Sequence, residues 1–347
     1  MTLNKELCFI RANKTKFGGA EVYLSRLSAS LEEKGIAHRS IHSNLPKFLP
    51  SWLRIILFNL QVCLTKGDKF YFSLDRISCP DVYRAGDGVH KVFLKIEKKS
   101  KINPLHPIYL FLERRCFNKA KHIVANSHMI RNEIMDMYNI RPDKISVVYN
   151  GIQNKKVERD NSFKKLSQEF PIRESSKILL YVGSGFKRKG VSEFLKIFSM
   201  LQTNNTRAFI VGGEKDMATY QELSKELMVD DKVFFTGPRE DVDDFYSISH
   251  VFILPTHYEP FSNVVLEAMN FKNVVFTTRQ NGASEILHDN FIMNDPNDLS
   301  IVTKIDSLLQ HEDLLQEEAA RNRKLSQQFS IQKNLLNTLD VIHKVAT

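Results

Sequence analysis

The chain has little sulfur and no long apolar stretch. No run reaches the ~18 apolar residues needed to span a bilayer. The nearest candidate, "WLRIILFNLQVCL" (52–64), is interrupted by Arg54, Asn59 and Gln61. The start, "MTLNKELCFIRANKTKFGG", lacks a secretory apolar core. The four cysteines, Cys8, Cys63, Cys79 and Cys116, have neither metal-site spacing nor the density of a disulfide scaffold. Four reduced thiols in a cytosolic protein are therefore expected. There is no repeat of about 20–50 residues and no low-complexity tract. Neither G-x-x-x-x-G-K-[ST] nor G-x-G-x-x-G occurs, which argues against a P-loop nucleotidase and an NAD-dependent dehydrogenase. The chain is basic, yet it carries no recognised nucleic-acid-binding motif.

What is present is ordinary globular material, 42% hydrophobic and 26% charged. At 347 residues the chain is too long for one ordinary core and suits two domains. The net charge of +9 is lopsided. Residues 1–150 hold 25 Lys and Arg against 13 Asp and Glu, a balance of +12, whereas the remainder is slightly acidic at −3. A one-sided positive field suggests an anionic surface near the first half, lipid headgroups or nucleic acid.

Short β-branched runs alternate with amphipathic ones. In the first half "ELCFIRA" (6–12), "HRSIHS", "DKFYFSL", "DVYRA", "HIVAN" and "KISVVYNGI" (144–152) read as strands. A helix over 17–35 has Val22, Leu24, Leu27 and Leu31 as its apolar spine, and Ser127 can cap another helix. The charged, poorly patterned "QNKKVERDNSFKK" (153–165) interrupts the alternation, which restarts with "KILLYV", "RAFIVGGE", "KVFFTGP", "HVFILPT" and "NVVFTT". Strands alternating with helices give parallel sheets covered on both faces. The fold class is therefore α/β, with two doubly wound Rossmann-like domains facing across a cleft. They are expected at 1–152 and 153–327, with a last helix at about 328–347 packing back on the first. Ligands of such sheets bind at the carboxyl ends of the strands.

Three loops there carry chemistry. "GSGFKRKG" (183–190) follows a strand and opens a helix, and Ser184, Arg188 and Lys189 stand where backbone amides and fixed cations suit a diphosphate. A basic surface turn is the plainer alternative. "FGGAE" (17–21) offers Gly18 and Gly19 for close approach to a ligand, or merely makes a tight turn. "HYEPFSNVVLEAM" (257–269) sets Glu259 in a loop and Glu267 about two helical turns in. Carboxylates there would repel phosphate but accept hydrogen bonds from paired hydroxyls. Glu259 could hold a sugar and Glu267 a ribose; an isolated E-x7-E is otherwise two solvated charges. The acids of "EDVDDF" (240–245) fit a helix start better than a metal site. "HKVFLKIEKKSKINP" (90–104) mixes Lys91, Lys95, Lys98, Lys99 and Lys101 with apolar residues; with 52–64 it could lie on an anionic bilayer.

Taken in order, "FGGAE", "VYNGI", "GSGFKRKG", "FFTG" and "EPFSNVVLEAM" resemble the retaining glycosyltransferases of family 4 with the GT-B fold. "DVYRAGDGVHKVF" (81–93) and the second glycine loop resemble the lipopolysaccharide-core glucosyltransferase branch. The resemblance implies a metal-independent hexosyltransferase using a nucleotide-diphosphate sugar, with UDP as the expected nucleotide and a lipid-linked saccharide as acceptor. It implies no cofactor, no nucleic-acid partner and a peripheral location on the cytoplasmic face of the inner membrane. It gives Glu259 to the donor sugar, Glu267 to the ribose and Arg188 and Lys189 to the diphosphate. Gly18 and Gly19 would approach the phosphates, and the backbone at Pro238 and Arg239 the base. Pro260, Phe261, Ser262 and Asn263 complete the donor loop, with Ser262 where the family usually has glycine. Asp87 stands where many members have a catalytic histidine, and His90 is the alternative. The family's usual small-Gly-x-Pro step after the E-x7-E helix is replaced by "NFKNVV".

Overall fold

A computed structural model describes residues 5–14, 19–97 and 103–346. The chain forms two compact units, one of the residues up to Asn150 and those from Ile331 onward, the other of Gly151–Ser330.

Unit 1 runs β1 (Leu7–Ile10), α1 (Gly19–Glu33), β2 (His38–Ile41), α2 (Ser51–Leu64), β3 (Phe70–Ser73), β4 (Val82–Ala85), α3 (His90–Ile96), α4 (Leu105–Lys119), β5 (His122–Ala125), α5 (His128–Tyr138) and β6 (Ile145–Val147). Its six strands lie in the order β2-β1-β3-β4-β5-β6, all parallel. Successive side chains of a strand point to opposite faces, and β1 shows the result. Leu7 and Phe9 join the core under Leu24, Leu27 and Leu31 of α1, whereas Cys8 and Ile10 pack with Phe58 and Val62 of α2. Burial on both faces is why β1 (LCFI) is continuously apolar, whereas the edge strand β2 (HRSI) is not. Ser127 caps α5 by accepting from the Ile130 amide, as its position predicts. Val22 is 36% exposed and lies off the apolar spine of α1.

Unit 2 contains α6 (Arg159–Glu169), β7 (Lys177–Val182), α7 (Phe186–Lys189), α8 (Val191–Ser199), β8 (Thr206–Val211), α9 (Met217–Glu226), β9 (Val233–Gly237), α10 (Val242–Ile248), β10 (Val251–Leu254), α11 (Asn263–Asn270), β11 (Val274–Thr278), β12 (Ile292–Met293), α12 (Ile301–Gln310) and α13 (Glu312–Ser326). Its parallel sheet has the order β12-β11-β10-β7-β8-β9. The chain leaves β7 toward β8 on one side and later returns to β10 on the other. This is the reversal of strand order where α/β sheets bind ligands. α14 (Ile331–Ala346) belongs to unit 1, where Leu335, Leu339 and Ile342 enter the core with Leu7 and Phe9.

Two expectations are corrected. The segment 153–165 is no bare linker, because α6 starts inside it and buries Phe163 and Leu166. Nor are all four thiols free. The end of α2 and the loop before β4 hold Cys63 and Cys79 with their Cα atoms 5.7 Å apart, within disulfide reach, and the two are bonded. Cys8 and Cys116 are free and buried.

The switch-point loops are built on close backbone approach. At Gly190 φ is +79°, and a Cβ would stand 1.9 Å from the Pro255 carbonyl oxygen. Gly190→Ala is expected to lower stability by about 2 kcal/mol or more, read as an earlier midpoint in denaturant unfolding.

Candidate active site

Most of the expected donor residues lie in unit 2. α7 is flanked by two left-handed glycines, Gly185 and Gly190, so one short turn ends β7 and starts α8. Gly183 leaves room for the Lys189 stem, since a Cβ there would meet Lys189 Cδ at 2.8 Å. The Arg188 carbonyl accepts from the His257 amide at 2.9 Å and the Thr256 hydroxyl at 3.0 Å. The loop after β10 is thereby stitched to the glycine loop.

That stitching sets Glu259 against two cations. Arg188 Nη1 donates to Glu259 Oε2 at 2.6 Å and to the Tyr258 carbonyl at 2.7 Å, and Lys189 Nζ lies 3.6 Å from the same carboxylate oxygen. Burial pushes the Glu259 carboxyl up, but Lys189 and Arg188 outweigh it and hold it below its ordinary value. Its backbone is fixed too: the amide donates to the Gln280 carbonyl and its carbonyl accepts from the Gly282 amide, each at 2.9 Å.

α11 begins at Asn263, so Glu267 lies one turn in rather than two. Its carboxylate accepts from the Tyr246 hydroxyl at 3.3 Å. Pro260 and Phe261 are buried, and Asn263 is half-buried in the first turn of α11. Ser262 is buried with φ −86°, ordinary backbone for an L residue, so the serine in place of glycine costs no strain here. Ser184 and Pro238 are exposed, and Ser184 Oγ accepts from the Gly213 amide at 3.3 Å. The Arg239 side chain is committed elsewhere, to Glu169 at 2.6 Å and Asp241 at 2.8 Å. Asp243 and Asp244 are likewise taken, by Lys155 and Lys165, each at 2.6 Å.

Sequence reasoning missed Asn281. It is fully buried, its Oδ1 accepts from the amides of Ser262 (3.2 Å) and Ala283 (3.1 Å), and its Nδ2 donates to Thr277 Oγ1. The Asn-Gly pair, set off by two residues from the end of a β-branched strand, was the available signal.

Unit 1 carries the other candidates. Gly18 lies outside the described residues, as do Lys98, Lys99 and Lys101, and Gly19 opens α1. Asp87 is half-exposed, 3.8 Å from Arg11 Nη1. The guanidinium of Arg11 also meets Glu21 at 2.9 Å and Asp75 at 2.8 Å. Burial weighs against its charge, but Asp75, Asp87 and Glu21 raise its pKa. His90 sits at the start of α3 with its ring 3.2 Å from His106 Nδ1. Burial, then Arg76, lowers its pKa to about 4. Beneath this loop, Glu113 is fully buried and accepts from Arg76 Nε (2.9 Å), the His90 amide (2.7 Å), the Lys91 amide (3.2 Å) and the Tyr138 hydroxyl. Arg76 also donates to the Gly88 carbonyl at 2.8 Å, so the pair holds the segment that bears Asp87 and His90. Glu113 shares one helical face with Cys116 and Phe117, spacing that marks it as interior. His38 and His42 have H-x-x-x-H spacing, but they lie on and beside a strand, and each Nδ1 meets a backbone carbonyl, of Ile36 and Arg11.

Residues 162–325 match the family described as "Glycosyl transferases group 1", and residues 86–156 match "Glycosyltransferase Family 4". Among individual proteins, the chain is 30% identical over 167 residues to N-acetyl-alpha-D-glucosaminyl L-malate synthase of Bacillus anthracis, covering 48% of this chain and 43% of the synthase. It is 27% identical over 220 residues to lipopolysaccharide glucosyltransferase WaaG of Escherichia coli, 60% of this chain and 58% of WaaG. It thus spans about half the length of these curated relatives. The solved structure of WaaG superposes with a TM-score of 0.81 at 20% identity, over 97% of this chain and 99% of WaaG. Anabaena Alr3699/HepE in complex with UDP and glucose gives 0.76 at 17% identity, over 98% and 100%. The fold is that of these GT-B glycosyltransferases.

Glu259→Gln leaves Arg188 and Lys189 uncompensated and is expected to cost about 1–3 kcal/mol at neutral pH. Because the pKa of Glu259 is lowered on folding, its stabilisation is present above the ordinary glutamate range and is lost as pH falls through the lowered value. Wild-type and variant melting curves should therefore converge in acid. The His90 ring should titrate by NMR with a midpoint of about 4, remaining neutral at pH 7.

Proposed function

We propose that the chain is a retaining glycosyltransferase that moves a hexose from a UDP-sugar to a saccharide acceptor on a lipid. The observation that carries this reading is the cluster of Arg188, Lys189 and Glu259 at the switch point of unit 2. It sets fixed cations beside an ionised acceptor of hydroxyl hydrogen bonds. The two family matches support glycosyl transfer, and the UDP and glucose bound to the HepE structure support the donor. The lipopolysaccharide role named for WaaG supports the acceptor class, whereas the Bacillus relative is named for L-malate.

The chemistry follows from the residues. As the anomeric C–O bond breaks, negative charge grows on the departing diphosphate. Arg188 and Lys189 stabilise it without reorganising, and they supply the positive charge that a metal gives in other enzymes. Glu259 accepts hydrogen bonds from the sugar hydroxyls and fixes the ring. The acceptor hydroxyl then attacks the face the diphosphate leaves, and the leaving phosphate oxygen takes its proton. Glu267 accepts from the ribose hydroxyls. Asp87 orients hydroxyls of the acceptor or the sugar, with His90 the alternative.

Membrane docking belongs to unit 1. No described helix is long and apolar enough to cross a bilayer. On α2, Trp52, Leu60 and Leu64 are exposed, with Phe48 just before it and Ile96 at the end of α3. With the surplus of lysine and arginine in the first 150 residues, this face suits the anionic, cytoplasmic side of an inner membrane.

The test is a thermal-shift screen of UDP-, GDP- and ADP-sugars, followed by transfer assays. UDP-glucose at 100 times its dissociation constant is expected to add about 2.7 kcal/mol. Glu267→Ala and Lys189→Ala should abolish the shift, and the product should keep the anomeric configuration of the donor. Stabilisation by no nucleotide sugar would sink the proposal.

A further inference from the structure

Unit 2 has a cavity of about 710 Å³ at the edge of its sheet opposite the switch-point loops. The switch-point loops leave the carboxyl ends of β7 and β10. This cavity is lined instead by residues at the amino ends, with Lys177 starting β7, His250 preceding β10 and Lys272 preceding β11. Its volume falls in the range of small-molecule sites, about 300–1,000 Å³.

Its charge is unbalanced. Six lining side chains are cations and three are carboxylates. Lys177 is neutralised by Glu312 at 2.7 Å, Arg159 by Glu174 at 3.6 Å and Lys155 by Asp243 at 2.6 Å. Among the described residues, no carboxylate is paired with Lys156, Lys272 or Arg323. Arg323 is half-buried, its guanidinium meets only the neutral amide of Asn154 at 2.8 Å, and desolvation lowers its pKa. A cation partly withdrawn from water without a counter-charge is a cost that a bound anion would remove.

Lys272 supplies an independent observation. α11 ends in a Schellman turn: the Lys272 amide donates to the Met269 carbonyl at 3.1 Å and the Asn273 amide to the Ala268 carbonyl at 3.0 Å. The residue after the cap is then left-handed, a place that glycine usually fills. Here it is lysine, at φ +63°. A long cationic side chain is thereby carried on left-handed backbone at the rim of the cavity.

We propose that this cavity is a second ligand site, taking a small phosphorylated molecule. Glu158 is the lining carboxylate outside these pairs, so the surplus is two positive charges, which one phosphate monoester, at about −1.5 to −2 at neutral pH, would neutralise. Phe271 and Leu315 give its walls an apolar patch for the rest of the molecule. The site is separate from Arg188 and Lys189, so its fate does not depend on the donor reading.

The probe is inorganic tripolyphosphate, titrated calorimetrically into the full chain. Wild type should show two sites, one at the cavity and one at the glycine loop. Arg188→Ala with Lys189→Ala should leave one. Lys156→Ala, Lys272→Gly and Arg323→Gln together should leave the other and weaken the cavity site by about tenfold or more. Lys272→Gly alone should weaken the anion without lowering the melting midpoint, because glycine relieves the left-handed backbone; this separates lost binding from lost folding. Undiminished two-site binding by the triple variant, or no site in the Arg188 and Lys189 variant, overturns the proposal. If instead the Arg188 and Lys189 variant binds as wild type while the triple variant loses a site, the cavity stands and the diphosphate role of the glycine loop falls.

Discussion

A carboxylate withdrawn from water must be given positive partners, and at Glu259 two consecutive residues supply them. The rest of the switch point follows from meeting that condition. Arg188 and Lys189 reach the same oxygen because α7 is one turn long and bounded by left-handed glycines. The loop bearing Glu259 reaches them because the His257 amide and the Thr256 hydroxyl both donate to the Arg188 carbonyl. Asn281 then closes the loop from below through the Ser262 amide. The carboxylate is left ionised and held, the state in which it can accept hydrogen bonds from a polyol.

Unit 1 meets the same condition with the roles divided. At Arg11 a buried cation gathers three acids, and at Glu113 a buried anion gathers four donors. Arg11 sets the electrostatics around Asp87, while Glu113 fixes the backbone at His90. A group aimed and charged before a ligand arrives needs no rearrangement during reaction, which is the main way protein dipoles and charges lower barriers.

The architecture was legible because it rests on period and composition. Alternating apolar runs and helical stripes gave both sheets, and the glycine loop and E-x7-E fell at the switch point where doubly wound sheets carry their chemistry. What escaped was local geometry. Arg11 and Asp75 are 64 residues apart and meet only because β1 and β3 are neighbours. The Cys63–Cys79 bond depends on where one helix ends over one loop. α6 was hidden by its charged exposed face, since Phe163 and Leu166 alone mark the buried side. The donor roles expected of Arg188, Lys189 and Glu259 came from the resemblance to glycosyltransferases. It said nothing of Glu113, whose importance is visible only from the donors converging on it.

The contact between Gly190 and the Pro255 carbonyl makes the two switch-point loops one inseparable part. Any replacement of the 183–190 segment must end in glycine, because a side chain at its last position collides with the main chain 65 residues later. A chimera that keeps its shape must therefore carry glycine at position 190, whatever else the exchanged stretch contains.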